Sequence, residues 1–239
     1  MFLELITVGE GAQIPPHKQG QFSFGAFVRD YLLAREGLAM LVLQSPDSKA
    51  DAANFSRKGI GAFEPFHFER IGKKPDGTET KVAFTLAFAA LEGAPRAGFF
   101  VCQHHYPENF WNPAFQVHEN GATGLSAVAL AAPQPERHVA FLSAFTDVAP
   151  AEPDVHDFTY PLARGHVDLL TPDVAGEIYG PVEIDSNEPG FVAFGARLAD
   201  LPAQAKRLDA AKIPYQFIGT RLVIPASAAF GVAIAFEAT

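Results

Sequence analysis

A continuous apolar strand, a cap and a helix recur three times along the chain, and this recurrence limits the folds open to it. Leu38-Ala39-Met40-Leu41-Val42-Leu43 is an apolar run of strand length. Ser45-Pro46-Asp47 turns it, residues 48–58 read as a helix, and Gly59 suits the position after a helix end. Strands are expected over 63–71, 81–91 and 98–103, the first two joined through Lys74-Pro75-Asp76-Gly77. The same opening returns at 125–132, followed by a helix from Pro135 to Phe145, strands over 157–162 and 166–170, and a Thr171-capped helix to Tyr179. It returns again at 191–198, followed by an Asp200-capped helix that Lys212-Ile213-Pro214 ends. Strands over 215–218, 221–224 and 231–236 complete the third unit. Ahead of the first unit, residues 2–8 alternate and read as a strand carrying Glu4, residues 9–22 as a loop, and Ser23 as the cap of a helix through Leu33. One such unit cannot close a core alone, whereas pairs of units, each a curved sheet backed by a helix, can.

The 239 residues allow one large or two small domains. The expected division is 1–148 and 149–239, with the acidic, Pro-containing stretch 183–190 and residues 149–154 as linkers. A formal charge of −9, with only 18 Lys and Arg and no basic cluster, argues against nucleic acid as a partner. No apolar run has the length of a membrane helix and the first residues lack the basic and apolar regions of a signal peptide, so no membrane partner is expected. Cys102 is the single cysteine, which excludes an internal disulfide and points to a reducing, cytoplasmic location. Phe occurs 22 times against one Trp; with no polar atom to satisfy, Phe on this scale points to dry interiors or apolar cavities.

The repeated unit resembles the βαβββ module of the vicinal-oxygen-chelate superfamily, and most closely its glyoxalase-like domain proteins. The resemblance is carried by Phe2-Leu3-Glu4-Leu5-Ile6, by residues 22–27, by Gly98 to His105, by Pro107-Glu108-Asn109-Phe110-Trp111 and by His118-Glu119-Asn120-Gly121-Ala122, most specifically between Gln103 and Ala122. It implies an α+β fold of paired βαβββ modules forming open, cup-shaped mixed sheets with helices outside. It also implies a bacterial, metal-dependent lyase, isomerase or related enzyme acting on a small oxygen-rich metabolite, with a divalent metal (Zn, Mn, Ni or Fe) as Lewis acid. Glu4 matches the acidic ligand position in the last strand of a first module whose earlier elements have no counterpart here. The other family ligand positions, at the first strands, hold Met40, Ala127 and Ala193, none of which binds a hard metal.

On this reading Glu4 and His104 are the metal-ligand candidates, and His105 and His118 the catalytic ones. Each has a plainer alternative. Glu4 is equally an exposed acid on an edge strand. His104 and His105 are adjacent in a strand, so they point to opposite faces and only one can line a cup. His118-Glu119-Asn120-Gly121 has the composition of a structured turn. Tyr106, Phe110 and Trp111 form either an apolar plug or an aromatic wall for a ligand, and Cys102 reads as a small buried residue among Phe99, Phe100 and Val101. His17, His67, His138, His156 and His166 look incidental. Against the metal-dependent enzyme stand two alternatives: a metal-free protein that binds or sequesters a small molecule in a Phe-lined cup, and a structural domain stabilised only as a dimer. A homodimer is expected in every case, because an incomplete first module leaves a sheet edge exposed.

Overall fold

A computed structural model describes residues 2–74, 76–111, 113, 116–151, 157–184 and 188–239. Pro75 of the expected hairpin, His156, and residues 152–154 and 185–187 of the two expected linkers lie outside them.

The first of the three recurring units runs β1 (Met40–Gln44), α2 (Ser48–Arg57), β2 (Phe66–Lys73), β3 (Glu79–Ala90) and β4 (Gly98–His104). It is preceded by α1 (Phe24–Ala34), whose N-cap Ser23 accepts from the Ala26 amide. After α3 (Pro107–Phe110) the second module runs β5 (Ala122–Ala131), a 3₁₀ turn at Pro135–His138, α4 (Val139–Thr146), β6 (Asp157–Leu162), β7 (Gly165–Leu170) and α5 (Pro172–Tyr179). The third runs β8 (Gly190–Leu198), α6 (Leu201–Ala211), β9 (Gln216–Ile218), β10 (Arg221–Ile224) and β11 (Ala233–Ala238). The caps Asp47, Thr171 and Asp200 each accept backbone amides of the helix they open, the usual satisfaction of otherwise orphaned donors.

Two mixed sheets result, the architecture expected of the repeat. The first module forms a four-stranded sheet in the order β1-β4-β3-β2; the second and third share a seven-stranded sheet in the order β6-β7-β5-β8-β11-β10-β9. In each module the last strand lies parallel beside the first, and β5 and β8 join the second and third modules antiparallel.

One core spans both sheets. The outer face of the four-stranded sheet (Leu41, Ala87, Phe99, Val101), with Phe55 of α2, packs against Phe141, Leu142 and Phe145 of α4 and against Leu130, Val167 and Phe191 of the other sheet. Phe99 is fully buried and meets Phe141, Phe145 and Phe191 at ring separations of 4.9, 5.4 and 5.4 Å.

Residues 2–8 depart from expectation. They form no strand, and Phe2, Leu3, Leu5 and Ile6 are exposed. Alternation describes which face a side chain would take, but a strand also needs a partner for its backbone groups, and these residues pair with none.

Candidate functional site

The inner face of the four-stranded sheet is an aromatic bowl. Alternation along β4 sends Phe100, Cys102 and His104 inward, and along β3 it sends Val82, Phe84, Leu86 and Phe88 inward. Phe22 and Phe24, from the start of α1 and the loop before it, pack onto this face. Phe22 stacks on Phe88 at 4.2 Å.

At the far end of β4, His104 is enclosed by rings: Phe84 at 4.9 Å and Phe110 at 4.7 Å edge-on, Trp111 stacked at 5.7 Å. Phe2 closes over Phe110 and Trp111 at 5.2 and 5.5 Å. The His104 Nδ1 is buried with no hydrogen-bond partner among the described residues. Burial lowers its pKa, so the ring is neutral at pH 7. Beside it, burial first and the Glu4 carboxylate second push the Cys102 thiol up to about 12, which leaves it protonated and a poor nucleophile.

His105 belongs to the other face. Its Nε2 meets the Thr85 hydroxyl at 2.7 Å, and the same hydroxyl meets His67 Nδ1 at 3.0 Å. This polar group sits at the N-terminus of α2, where the Ser48 hydroxyl donates to the Thr85 carbonyl and the Ser48 amide to Gln103. His118 is exposed in a turn: its carbonyl accepts from Gly121, whose φ is +77°, and Asn120 Oδ1 accepts from the Ala122 amide. Glu4 is exposed. Glu4 acts on Cys102 through its charge, His104 shares the Cys102 face of β4, His105 turns to the other face, and His118 is exposed in its turn. Among the described residues no three His, Cys, Asp or Glu side chains converge as a metal-binding set. A lone exposed carboxylate near a protonated thiol and one imidazole does not supply the three or four donors that a divalent metal requires, and no chemistry is derived through one.

At the opposite end of the bowl, one β4 length away (about 20 Å at roughly 3.3 Å per residue), lies a cavity of about 400 Å³. Phe22, Phe27, Tyr31, Leu91, Ala94 and Ala97 make most of its wall, and His17, Asp30 and Arg96 its polar rim. His17 faces Asp30 at 3.8 Å, and Arg96 is held by Glu188 at 2.8 Å. The Phe count signalled such an apolar hollow, but its position depends on α1 lying over the β3–β4 turn, which no local pattern specifies.

A second cluster was missed. On the inner face of the seven-stranded sheet, buried Asp168 accepts from Thr159 at 2.7 Å and from Tyr179 at 3.1 Å, and lies 3.2 Å from His166. Burial alone would raise the Asp168 pKa. The hydrogen bond and charge of His166, together with the hydrogen bonds from Thr159 and Tyr179, outweigh it and hold the carboxyl below its ordinary value. His166 is correspondingly raised, chiefly by that hydrogen bond. Nearby, the Ser126 hydroxyl donates to Glu237, which Arg221 approaches at 4.0 Å. His166-Val167-Asp168, two polar groups on one face of an apolar strand, was the available signal.

The sequence matches a family model described as a glyoxalase-like domain over residues 1–146. No curated protein matches the chain. Solved structures share the fold at low identity. A hypothetical protein from Staphylococcus aureus aligns at 12% identity and TM-score 0.61, over 90% of this chain and 73% of its own. A mutant 4-hydroxymandelate synthase from Streptomyces coelicolor aligns at 12% and 0.52, over 88% and 73%. A Mn(II)-bound glyoxalase from Novosphingobium aromaticivorans aligns at 10% and 0.51, over 84% and 62%. The family match, together with the paired strand–helix–strand modules, makes this chain a glyoxalase-like domain protein of the vicinal-oxygen-chelate superfamily.

Proposed function

We propose that the chain binds a small, largely apolar organic molecule without a metal, in the cavity at the α1 end of the four-stranded bowl. The carrying observation is that cavity. Its volume of about 400 Å³ lies within the ~300–1,000 Å³ range of small-molecule sites, and apolar walls with a few polar groups at one side are their usual make-up. Because Asp30 pairs with Arg29 and Arg96 with Glu188, the charges at the rim are paired, which favours an uncharged ligand with one hydrogen-bonding group. The single cysteine agrees with a reducing, cytoplasmic setting. Thermal denaturation with indole, toluene and cyclohexanol as probes tests this. A ligand of the native state alone raises stability with its concentration, so at least one probe is expected to raise Tm. Absence of a shift with all three counts against the reading, and stoichiometric metal in freshly purified protein, lost in Glu4→Ala, would replace it with a metal-dependent enzyme.

A second reading is favoured by one atom. A buried imidazole nitrogen without a partner is costly, and a neutral histidine in an aromatic enclosure is suited to taking a proton from a bound substrate. On this reading His104 is a general base and the ligand a weak carbon or oxygen acid. Loss of probe deuterium exchange in His104→Phe, with binding retained, would support it; unchanged exchange would remove it.

A further inference from the structure

The end of the four-stranded sheet that turns His104 inward also carries polar groups on its outer face, and the ligand reading uses none of them. His67 of β2 lies directly across from Thr85 of β3, and Thr85 across from Gln103 of β4. His105 follows β4, and its amide donates to the Ala83 carbonyl, which sets it diagonal to Thr85. Both rings reach over Thr85: His67 Nδ1 and His105 Nε2 stand 3.0 and 2.7 Å from its hydroxyl oxygen, with the ring centroids 5.3 Å apart. A hydroxyl has one proton, so it donates to one of these nitrogens and accepts from the other. Thr85 is buried and fixed in place. Its carbonyl accepts from the Ser48 hydroxyl, and Gln103 beside it is tied to the Ser48 amide and the Pro46 carbonyl. Both histidines are exposed. Three donors therefore meet at one corner that solvent reaches.

We infer that His67 Nδ1, His105 Nε2 and the Thr85 hydroxyl form a site for a divalent transition-metal ion of tetragonal preference, Cu²⁺ above all. Imidazole nitrogens sit about 2.0–2.1 Å from a divalent ion such as zinc. At that radius, donors at right angles lie about 2.9 Å apart and donors at the tetrahedral angle about 3.3 Å. The two nitrogen–oxygen separations, 3.0 and 2.7 Å, match the right-angled corner. That geometry belongs to Cu²⁺ and Ni²⁺ more than to Zn²⁺, and the divalent series ranks Cu²⁺ highest. The ion replaces the two hydrogen bonds: each neutral ring turns a lone pair to it and keeps its proton on the other nitrogen. Glu69, two residues along β2 from His67, is held by Lys81 at 2.7 Å, so solvent completes the coordination. The site lies on the opposite face of the sheet from His104 and does not rest on the ligand reading.

Isothermal titration calorimetry of the full chain with CuCl₂ in a non-coordinating buffer, paired with pulsed electron paramagnetic resonance, tests it. The wild type is expected to take up one tightly held Cu²⁺ per chain, with a tetragonal spectrum coupled to two imidazoles, and to bind Zn²⁺ more weakly. His67→Asn and His105→Asn are each expected to weaken Cu²⁺ binding by about tenfold or more and to leave coupling to a single imidazole. His118→Asn, in its exposed turn, is expected to change neither. Should a variant lose its circular dichroism, the wild-type spectrum decides alone, because the number of coupled imidazoles is read without any substitution. A wild type that takes up no stoichiometric copper, coupling to other than two imidazoles, Zn²⁺ bound as tightly as Cu²⁺, or folded His67→Asn and His105→Asn that bind Cu²⁺ as the wild type does would overturn it.

Discussion

The two sheets are built from the same module, yet one is filled and the other hollow. In the seven-stranded sheet the inner face carries Ala129, Ala131, Ala193, Ala233 and Ala235. These small side chains let α5 settle on the sheet, with Ala175 and Tyr179 buried against it. In the four-stranded sheet the corresponding face carries Phe84, Phe88 and Phe100. Rings of that size hold α1 off the sheet at one end, where the cavity opens, and enclose His104 at the other. Side-chain volume on the inner face therefore decides whether a module becomes scaffold or site. The polar groups follow suit: Asp168 has three partners beneath α5, whereas His104 Nδ1 has none among the described residues.

The contrast can be broken where the halves join. Phe99 touches both α4 and β8, and Phe99→Ala is expected to destabilise the whole chain by about 4 kcal/mol through the cavity it leaves. Chemical denaturation checks this, and two separate transitions would mean that the halves fold independently. Next in size is Asp168→Ala, which strips the network of its acceptor and leaves the buried Tyr179 hydroxyl without it; about 2 kcal/mol is expected to be lost, with binding of an apolar probe in the other half unchanged.

The same pair sets a pH dependence. The raised His166 pKa contributes stability that is complete below the usual ~6.5 of histidine and disappears as pH rises through the folded-state value. The lowered Asp168 pKa contributes stability that is present above the ordinary carboxylate range and lost as pH falls through its folded-state value. The stability difference between wild type and His166→Gln, read from denaturation midpoints, should shrink as pH rises through the histidine range, while the lowered His104 and His138 values act in the opposite direction in both proteins. A smaller effect of opposite sign is expected at the other end of the contrast. His104→Phe replaces an unpartnered buried nitrogen by a ring atom and should stabilise by about 1 kcal/mol, seen as a rise in Tm. Smallest in stability is Ala90→Phe. Ala90 is exposed at the cavity mouth, so a change within about 0.5 kcal/mol is expected, together with loss of any probe-induced Tm shift.

Much of this arrangement was legible in the residues. Each cap and first strand is a local matter: Asp47, Thr171 and Asp200 open helices where short polar side chains precede apolar stripes, and the runs at 38–43, 125–132 and 191–198 mark the modules. The opposite orientation of His104 and His105 followed from strand geometry alone. What stayed hidden depends on distant pairing. Residues 2–8 alternate like a strand but pair with no strand among the described residues. His166 gained importance only when β6 and α5 brought Thr159 and Tyr179 to Asp168, contacts set by the sheet order. The turn at His118 was readable as a turn, while the cavity beside α1 came from packing between elements far apart in sequence.

The account's central claim is that the aromatic half, and not the alanine-lined half, accepts a small apolar molecule. Crystals soaked in bromobenzene would test it most directly through the anomalous signal of bromine. The account predicts a peak between Phe22, Phe27 and Ala97, absent in Ala90→Phe. A peak beneath α5, or none in crystals that take up the compound elsewhere, would contradict it.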